Sequence, residues 1–124
     1  TIAKLHRSVR VIAVESDPTN FRYLLWNLRE NNVTSNVWPV NAGACAPGQN
    51  VSYTLWPPLH GTVPRIVERS NVPCLSLAQL LDLFRIQQLA LLKIDCEGCE
   101  FSFLTSDTAR LALQRVKRLA GEFH

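Results

Sequence analysis

The sequence has 124 residues, one domain's worth of chain and too short for two cores of ordinary size. Lysine plus arginine exceed aspartate plus glutamate by only 13 to 10, which excludes the strong positive field that gathers nucleic acid or an anionic membrane. No apolar stretch approaches the ~20 residues that span a bilayer, and the first residues lack the charged, apolar, then small order of a signal peptide. A single domain over 1–124, cytoplasmic, with neither nucleic acid nor membrane as partner, is therefore expected. There is no methionine, so the sequence is expected to begin inside a longer gene product.

Val9 to Val14 is a short run rich in valine and isoleucine, the pattern of a buried strand. It ends on Glu15, Ser16, Asp17 and Pro18. Asp17 suits a helix N-cap and Pro18 the first helical position, and Phe21, Leu24, Leu25 and Leu28 then recur at helical spacing. This helix is expected to stop near Asn31 and Asn32. Val37 to Val40 offers a second strand, interrupted by Pro39, that opens into the small-residue loop Asn41-Ala42-Gly43-Ala44. Val51 to Trp56 and Thr62 to Glu68 alternate weakly, as a hairpin or two edge strands do.

Ser76 followed three residues later by Gln79 is a capping-box signature, and Leu77, Leu80, Leu81 and Phe84 supply the apolar face of a helix from Leu77 to Ile86. Leu89 to Ile94 is a nearly continuous apolar run, expected of a parallel strand covered on both faces. Helical material follows Gly98 to about Leu113, with a break near Thr105 and Ser106, and a last strand runs from Val116 towards Phe123. Arg115, Lys117 and Arg118 read as a solvated strand entrance. Helices that regularly separate apolar strands indicate an α/β domain with a mostly parallel sheet, because each parallel pair needs a crossover.

In open α/β sheets ligands sit beyond the carboxyl ends of the strands. Four such ends carry polar groups: Glu15, Asn41, Asp95 with Glu97, and Glu122 with His124. An acid placed as Glu15 is can accept both hydroxyl hydrogens of an adenosine ribose, or merely cap the next helix. Lys93 interrupts a strand expected to be buried, and a buried ammonium is tolerated only when paired, so Asp95 or another carboxylate is expected beside it. Gly98 permits a sharp turn into the following helix, where Glu97 and Glu100 suit the dipole.

The segments Val14-Glu15-Ser16-Asp17-Pro18, the helix with Leu25, Asn27 and Leu28, the pair Ser76-Leu77, the run Leu92-Lys93-Ile94-Asp95-Cys96-Glu97-Gly98-Cys99-Glu100, and the closing Gly121-Glu122-Phe123-His124 together resemble the FkbM family of methyltransferases. The resemblance covers nearly the whole chain in order, and its most specific element is the Lys-x-Asp-x-Glu-Gly-x-Glu pattern. It implies a Rossmann-like, class I fold with a mostly parallel sheet flanked by helices. The implied activity is transfer of a methyl group from S-adenosylmethionine to a hydroxyl oxygen of a small molecule, commonly a sugar or polyketide-like product. By the same resemblance Glu15 holds the ribose, Ser16, Asn41 and Ala42 line the adenine, and Asp95 lies near the methionine end of the cofactor. Lys93, Glu97, Glu122 and His124 fall near the acceptor, with His124 or Glu97 as base.

The sequence departs from the family's pattern in one respect. No glycine cluster corresponds to the loop that passes under the methionine part of the cofactor, and Thr1 to Arg7 reads as the tail of the helix after that loop. The fold is therefore expected to be an incomplete class I methyltransferase fold, and a non-catalytic interaction module is the alternative that the departure motivates. A nicotinamide-dependent dehydrogenase shares only Glu15 and the α/β pattern, and leaves Lys93 to Glu100 without a role.

Cys45, Cys74, Cys96 and Cys99 are too few and too unevenly spaced for a disulfide scaffold, so reduced thiols are expected. Cys96 and Cys99, beside a helix start, could instead form a redox pair or join Cys45 and Cys74 around zinc. The family pattern accounts for the Lys, Asp, Glu and Gly around them and leaves those two positions to small or apolar residues. No metal is expected, because the few close acids are explained without an ion.

Overall fold

In the computed structural model, which describes residues 2–55, 62–67 and 72–123, a mixed α/β chain divides into two units, Thr1–Gly43 and Ala44–His124. Each gathers its own apolar cluster. Among the described residues no helix is long and apolar enough to cross a membrane.

The first unit runs through α1 (Ile2–Leu5), β1 (Val11–Glu15), α2 (Pro18–Glu30) and β2 (Val37–Asn41). β1 starts two residues later than expected, because the Val9 N–H is taken by the His6 carbonyl while the Val11 N–H reaches Asn36. The Asp17 carboxylate caps α2 as foreseen, accepting from the N–H groups of Thr19 at 2.7 Å and Asn20 at 2.8 Å. At the other end Asn32 takes a left-handed conformation (φ 54°). Its N–H donates to Arg29 and that of Val33 to Leu28, the reciprocal closure that satisfies the last helical carbonyls. Leu28 and Val33 then pack with Ala3 and Val37 in the core of this unit. β1 and β2 pair in parallel, from Val11 beside Val37 to Glu15 beside Asn41, so both strands end at the same level.

The second unit follows β3 (Gly43–Ala44), which spans the boundary between the two. β4 (Asn50–Leu55) and β5 (Thr62–Val67) form the expected antiparallel hairpin; the expected strand ends Trp56 and Glu68 lie outside the described residues. β6 (Cys74–Leu75) leads into α3 (Leu77–Leu83), whose start is the predicted capping box: the Ser76 N–H donates to Gln79 Oε1 at 2.8 Å and the Gln79 N–H to Ser76 Oγ at 3.3 Å.

α3 stops three residues before Ile86, because Arg85 turns left-handed (φ 53°). The Arg85 N–H then donates to Asp82, and the Ile86 N–H folds back to Leu81 at 2.7 Å. A left-handed arginine costs about 1–2 kcal/mol that glycine escapes, less what glycine adds in unfolded-chain entropy. Arg85→Gly is therefore expected to raise stability by about 0.5–1 kcal/mol in urea denaturation; a loss of that size would contradict the left-handed helix end.

β7 (Leu92–Ile94) and β8 (Leu119–Gly121) pair in parallel. Both are shorter than expected, since a bend at Ala90 reduces the upstream contact to a single bridge between Leu89 and Val116. Gly121 lies so close to β7 that a Cβ there would sit 2.7 Å from the Ile94 carbonyl oxygen. Between these strands come α4 (Glu100–Thr105) and α5 (Asp107–Leu113), divided as foreseen at Ser106, whose hydroxyl accepts from the Ala109 N–H. Leu77, Leu80, Leu81, Ile94, Phe103 and Ala112 form the core.

β1–β2 and β7–β8 are parallel and β4–β5 is antiparallel, and the strands of the described residues pair two by two rather than in one continuous, mostly parallel sheet. Three local expectations are corrected. Arg115 is not a solvated side chain: it is about one-quarter exposed, pairs with Asp82 at 2.7 Å and donates to the Ile86 carbonyl, bracing the end of α3. Lys93 is not buried, since its side chain is 69% exposed. The cysteines are not reduced thiols, for they close as Cys45–Cys74 and Cys96–Cys99, with Cα separations of 5.7 Å and 5.4 Å. Both separations lie in the ordinary range for a disulfide. The first closes because the Cys45 N–H donates to Leu75, which brings the chain alongside Cys74, a proximity that sequence spacing does not encode. Paired in this way, the four sulfurs are not the thiolates a zinc site needs.

Candidate functional site

At the carboxyl end of the β1–β2 pair the first unit brings together Glu15, Ser16, Asn41 and Ala42. The Asn41 side-chain amide donates to the carbonyls of Glu15 at 2.8 Å and Ser16 at 3.3 Å, and the Ala42 N–H donates to Glu15 at 3.2 Å. These three bonds fix the Glu15-Ser16 turn against the end of β2. The Glu15 carboxylate is half-buried, and its Oε1 accepts the Asp17 N–H at 2.8 Å. One carboxylate oxygen thus orients the side chain. The other, Oε2, has no hydrogen-bond partner among the described residues and can receive a ligand hydroxyl. Ala42 is buried completely, so it contributes backbone and a small, close wall rather than a reaching side chain.

In the second unit the ends of β7 and β8 carry Lys93, Asp95, Glu97 and Glu122. Lys93 Nζ and Asp95 Oδ2 pair at 3.1 Å, as expected, although the pair is exposed and worth little to stability. The Glu122 N–H donates to the Ile94 carbonyl at 3.2 Å, which holds the residue at the strand ends. Glu97 is exposed and sits at φ 54°, followed by Gly98 at φ 104°. His124 lies outside the described residues.

Glu100 organises this turn, and the sequence reading assigns it only to helix-start electrostatics. It is 0% exposed. Its two carboxylate oxygens accept separate backbone donors, the N–H of Cys96 at 3.0 Å and that of Gly98 at 3.0 Å. The only signal for this in the sequence is the spacing of an acid two residues beyond a glycine, with the chain bent back far enough for one carboxylate to face both amides.

The profile of the Methyltransferase FkbM domain matches residues 1–124, the whole chain. The chain belongs to the FkbM methyltransferase family. No curated protein and no solved structure matches it. Membership gives methyl transfer as the class of activity of this FkbM domain. Asp17, not Glu15, caps α2, and one oxygen of Glu15 is taken by the Asp17 N–H. The second is left available at the strand end, where α/β enzymes bind their nucleotides.

Proposed function

We propose that this FkbM domain is a Rossmann-like, S-adenosylmethionine-dependent O-methyltransferase acting on a hydroxyl of a small molecule or sugar-containing natural product. The observation that carries the reading is the Glu15 carboxylate, oriented through Oε1 and open at Oε2, with Asn41 and Ala42 locking the backbone beneath it. That arrangement suits the paired hydroxyls of a ribose, and the Ser16 and Asn41-Ala42 backbone suits the edge of an adenine.

When bound, S-adenosylmethionine supplies an electrophilic sulfonium methyl that needs no further activation. What remains for the protein is to align the acceptor oxygen and to take up its proton. Lys93 and Glu122 would orient the acceptor by hydrogen bonds, while Asp95, which holds the Lys93 ammonium, would serve the methionine end of the cofactor. Glu97 or His124 receives the hydroxyl proton. Proton acceptance by Glu97 is favoured by its position on a tight turn, where a carboxylate can be presented without a long flexible backbone. Both disulfides fit an oxidising compartment better than the cytoplasm expected from the sequence.

Calorimetric titration with S-adenosylhomocysteine, on this chain and on the gene product extended upstream, tests the reading. Saturable heat from the extended product, displaced by S-adenosylmethionine, is expected. Silence from both would overturn it.

A further inference from the structure

Within the Lys93–Glu100 segment, the family pattern accounts for every charged residue and for Gly98, but not for Cys96 and Cys99. The structure closes these two into a disulfide across three positions of sequence, whereas Cys45–Cys74 closes across 29. We propose that Cys96–Cys99 is a reversible redox site, opened by a dithiol while the domain stays folded, and that Cys45–Cys74 is a permanent crosslink.

Three observations carry this. The contribution of a crosslink to folding grows with the loop it closes, and the two separations imply that losing Cys45–Cys74 weakens the folding constant ~20–30-fold more than losing Cys96–Cys99. Cys96 and Cys99 are both half-buried, so a small attacking thiolate can reach either sulfur, whereas in the other pair Cys45 is 2% exposed and Cys74 alone is half-buried. The backbone of the turn also has a second restraint that contains no sulfur, because Glu100 holds the N–H groups of Cys96 and Gly98. Opening the disulfide therefore leaves the turn anchored at both ends of the Cys96–Gly98 stretch, although both cysteines pack against the core of this unit.

The chemistry is thiol–disulfide exchange. One thiolate of the dithiol attacks a sulfur of the pair, forming a mixed disulfide and expelling the other cysteine as thiolate. The second thiol of the reductant then displaces the first cysteine and closes its own disulfide. Two electrons and two protons pass to Cys96 and Cys99, and the dithiol is oxidised. Glu97 lies inside the ring that opens, at its left-handed φ, so the redox state sets how rigidly Glu97 is presented. The bearing of that change on catalysis, unlike the exchange itself, rests on the methyl-transfer reading above.

The test uses the full chain under graded dithiothreitol, followed by rapid alkylation, peptide mass mapping and circular dichroism, with no cofactor present. The expected result is alkylation of Cys96 and Cys99 at reductant levels that leave Cys45 and Cys74 unlabelled, with an unchanged spectrum, and re-closure by oxidised dithiothreitol. Simultaneous opening of both pairs, earlier opening of Cys45–Cys74, or loss of the folded spectrum as Cys96–Cys99 opens would overturn the proposal. The double variant C96S/C99S gives a second reading in urea: it should keep a folding constant ~20–30-fold above that of C45S/C74S, and equal losses would count against the distinction. If C45S/C74S fails to fold, the alkylation order of the native chain still decides. Because cofactor binding plays no part, failure here leaves the methyltransferase reading standing.

Discussion

Glu100→Ala is expected to lower folding stability by about 2–4 kcal/mol, a larger effect than its place in an exposed turn suggests. The side chain is fully buried, and both of its oxygens are engaged by backbone donors at 3.0 Å. Hydrogen bonds to an ionised acceptor are worth roughly twice neutral ones, and an amide left without a partner forfeits about 1–3 kcal/mol when water cannot replace it. Cys96 is half-buried and Gly98 exposed, so hydration recovers part of the loss at Gly98 and little at Cys96. Glu100→Gln separates the terms. It keeps the volume and one acceptor, but its amide nitrogen meets a second N–H, so about half the loss should remain. Urea denaturation of the two variants provides the check. A loss below about 1 kcal/mol for Glu100→Ala would mean that the carboxylate merely occupies the turn.

How much of this was legible in advance follows from the range of the interactions. Asp17, the Ser76–Gln79 box and Ser106 act within four residues of themselves, and their chemistry is visible in any window of that length. The same holds for the Lys93–Asp95 pair, two positions apart at the end of β7. The extra exposure of Lys93 was not legible, because whether a strand face is covered depends on what packs over it and not on the strand. The end of α3 escaped for a related reason. The left-handed position that closes a helix announces itself when it is glycine, and here it is Arg85, held by the Ile86 N–H reaching Leu81 and by the packing of both in the core. Arg115 and Asp82 are 33 positions apart, and Cys45 and Cys74 are 29 apart; neither pairing leaves a local trace. Of the candidate site, the identities of Glu15 and Asn41 were readable as strand ends, but not the division of labour between the two oxygens of Glu15. That division depends on the Asp17 N–H turning back at the start of α2.

Glu15→Ala is expected to weaken S-adenosylhomocysteine binding at least ~100-fold with little change in the fold. Two ribose hydroxyls donating to one carboxylate are worth about 1.5–3 kcal/mol each, and tenfold in affinity corresponds to about 1.4 kcal/mol. The structural cost is smaller, a single bond to the Asp17 N–H at a half-buried position. A general loosening of the strand end could also lower affinity, and the ligand can be changed to distinguish the two. The analogue lacking the ribose 2′-hydroxyl removes one partner of the carboxylate without touching the protein. If Glu15 holds the ribose, that analogue binds the native domain about tenfold less tightly, and the penalty largely disappears in Glu15→Ala, since the deleted hydroxyl no longer has an acceptor to lose. If the two changes add independently, the hydroxyl and the carboxylate do not meet, and Glu15 supports the end of β1 without touching the cofactor. Additivity would thus remove the observation on which the proposed function rests, however large the effect of the substitution alone.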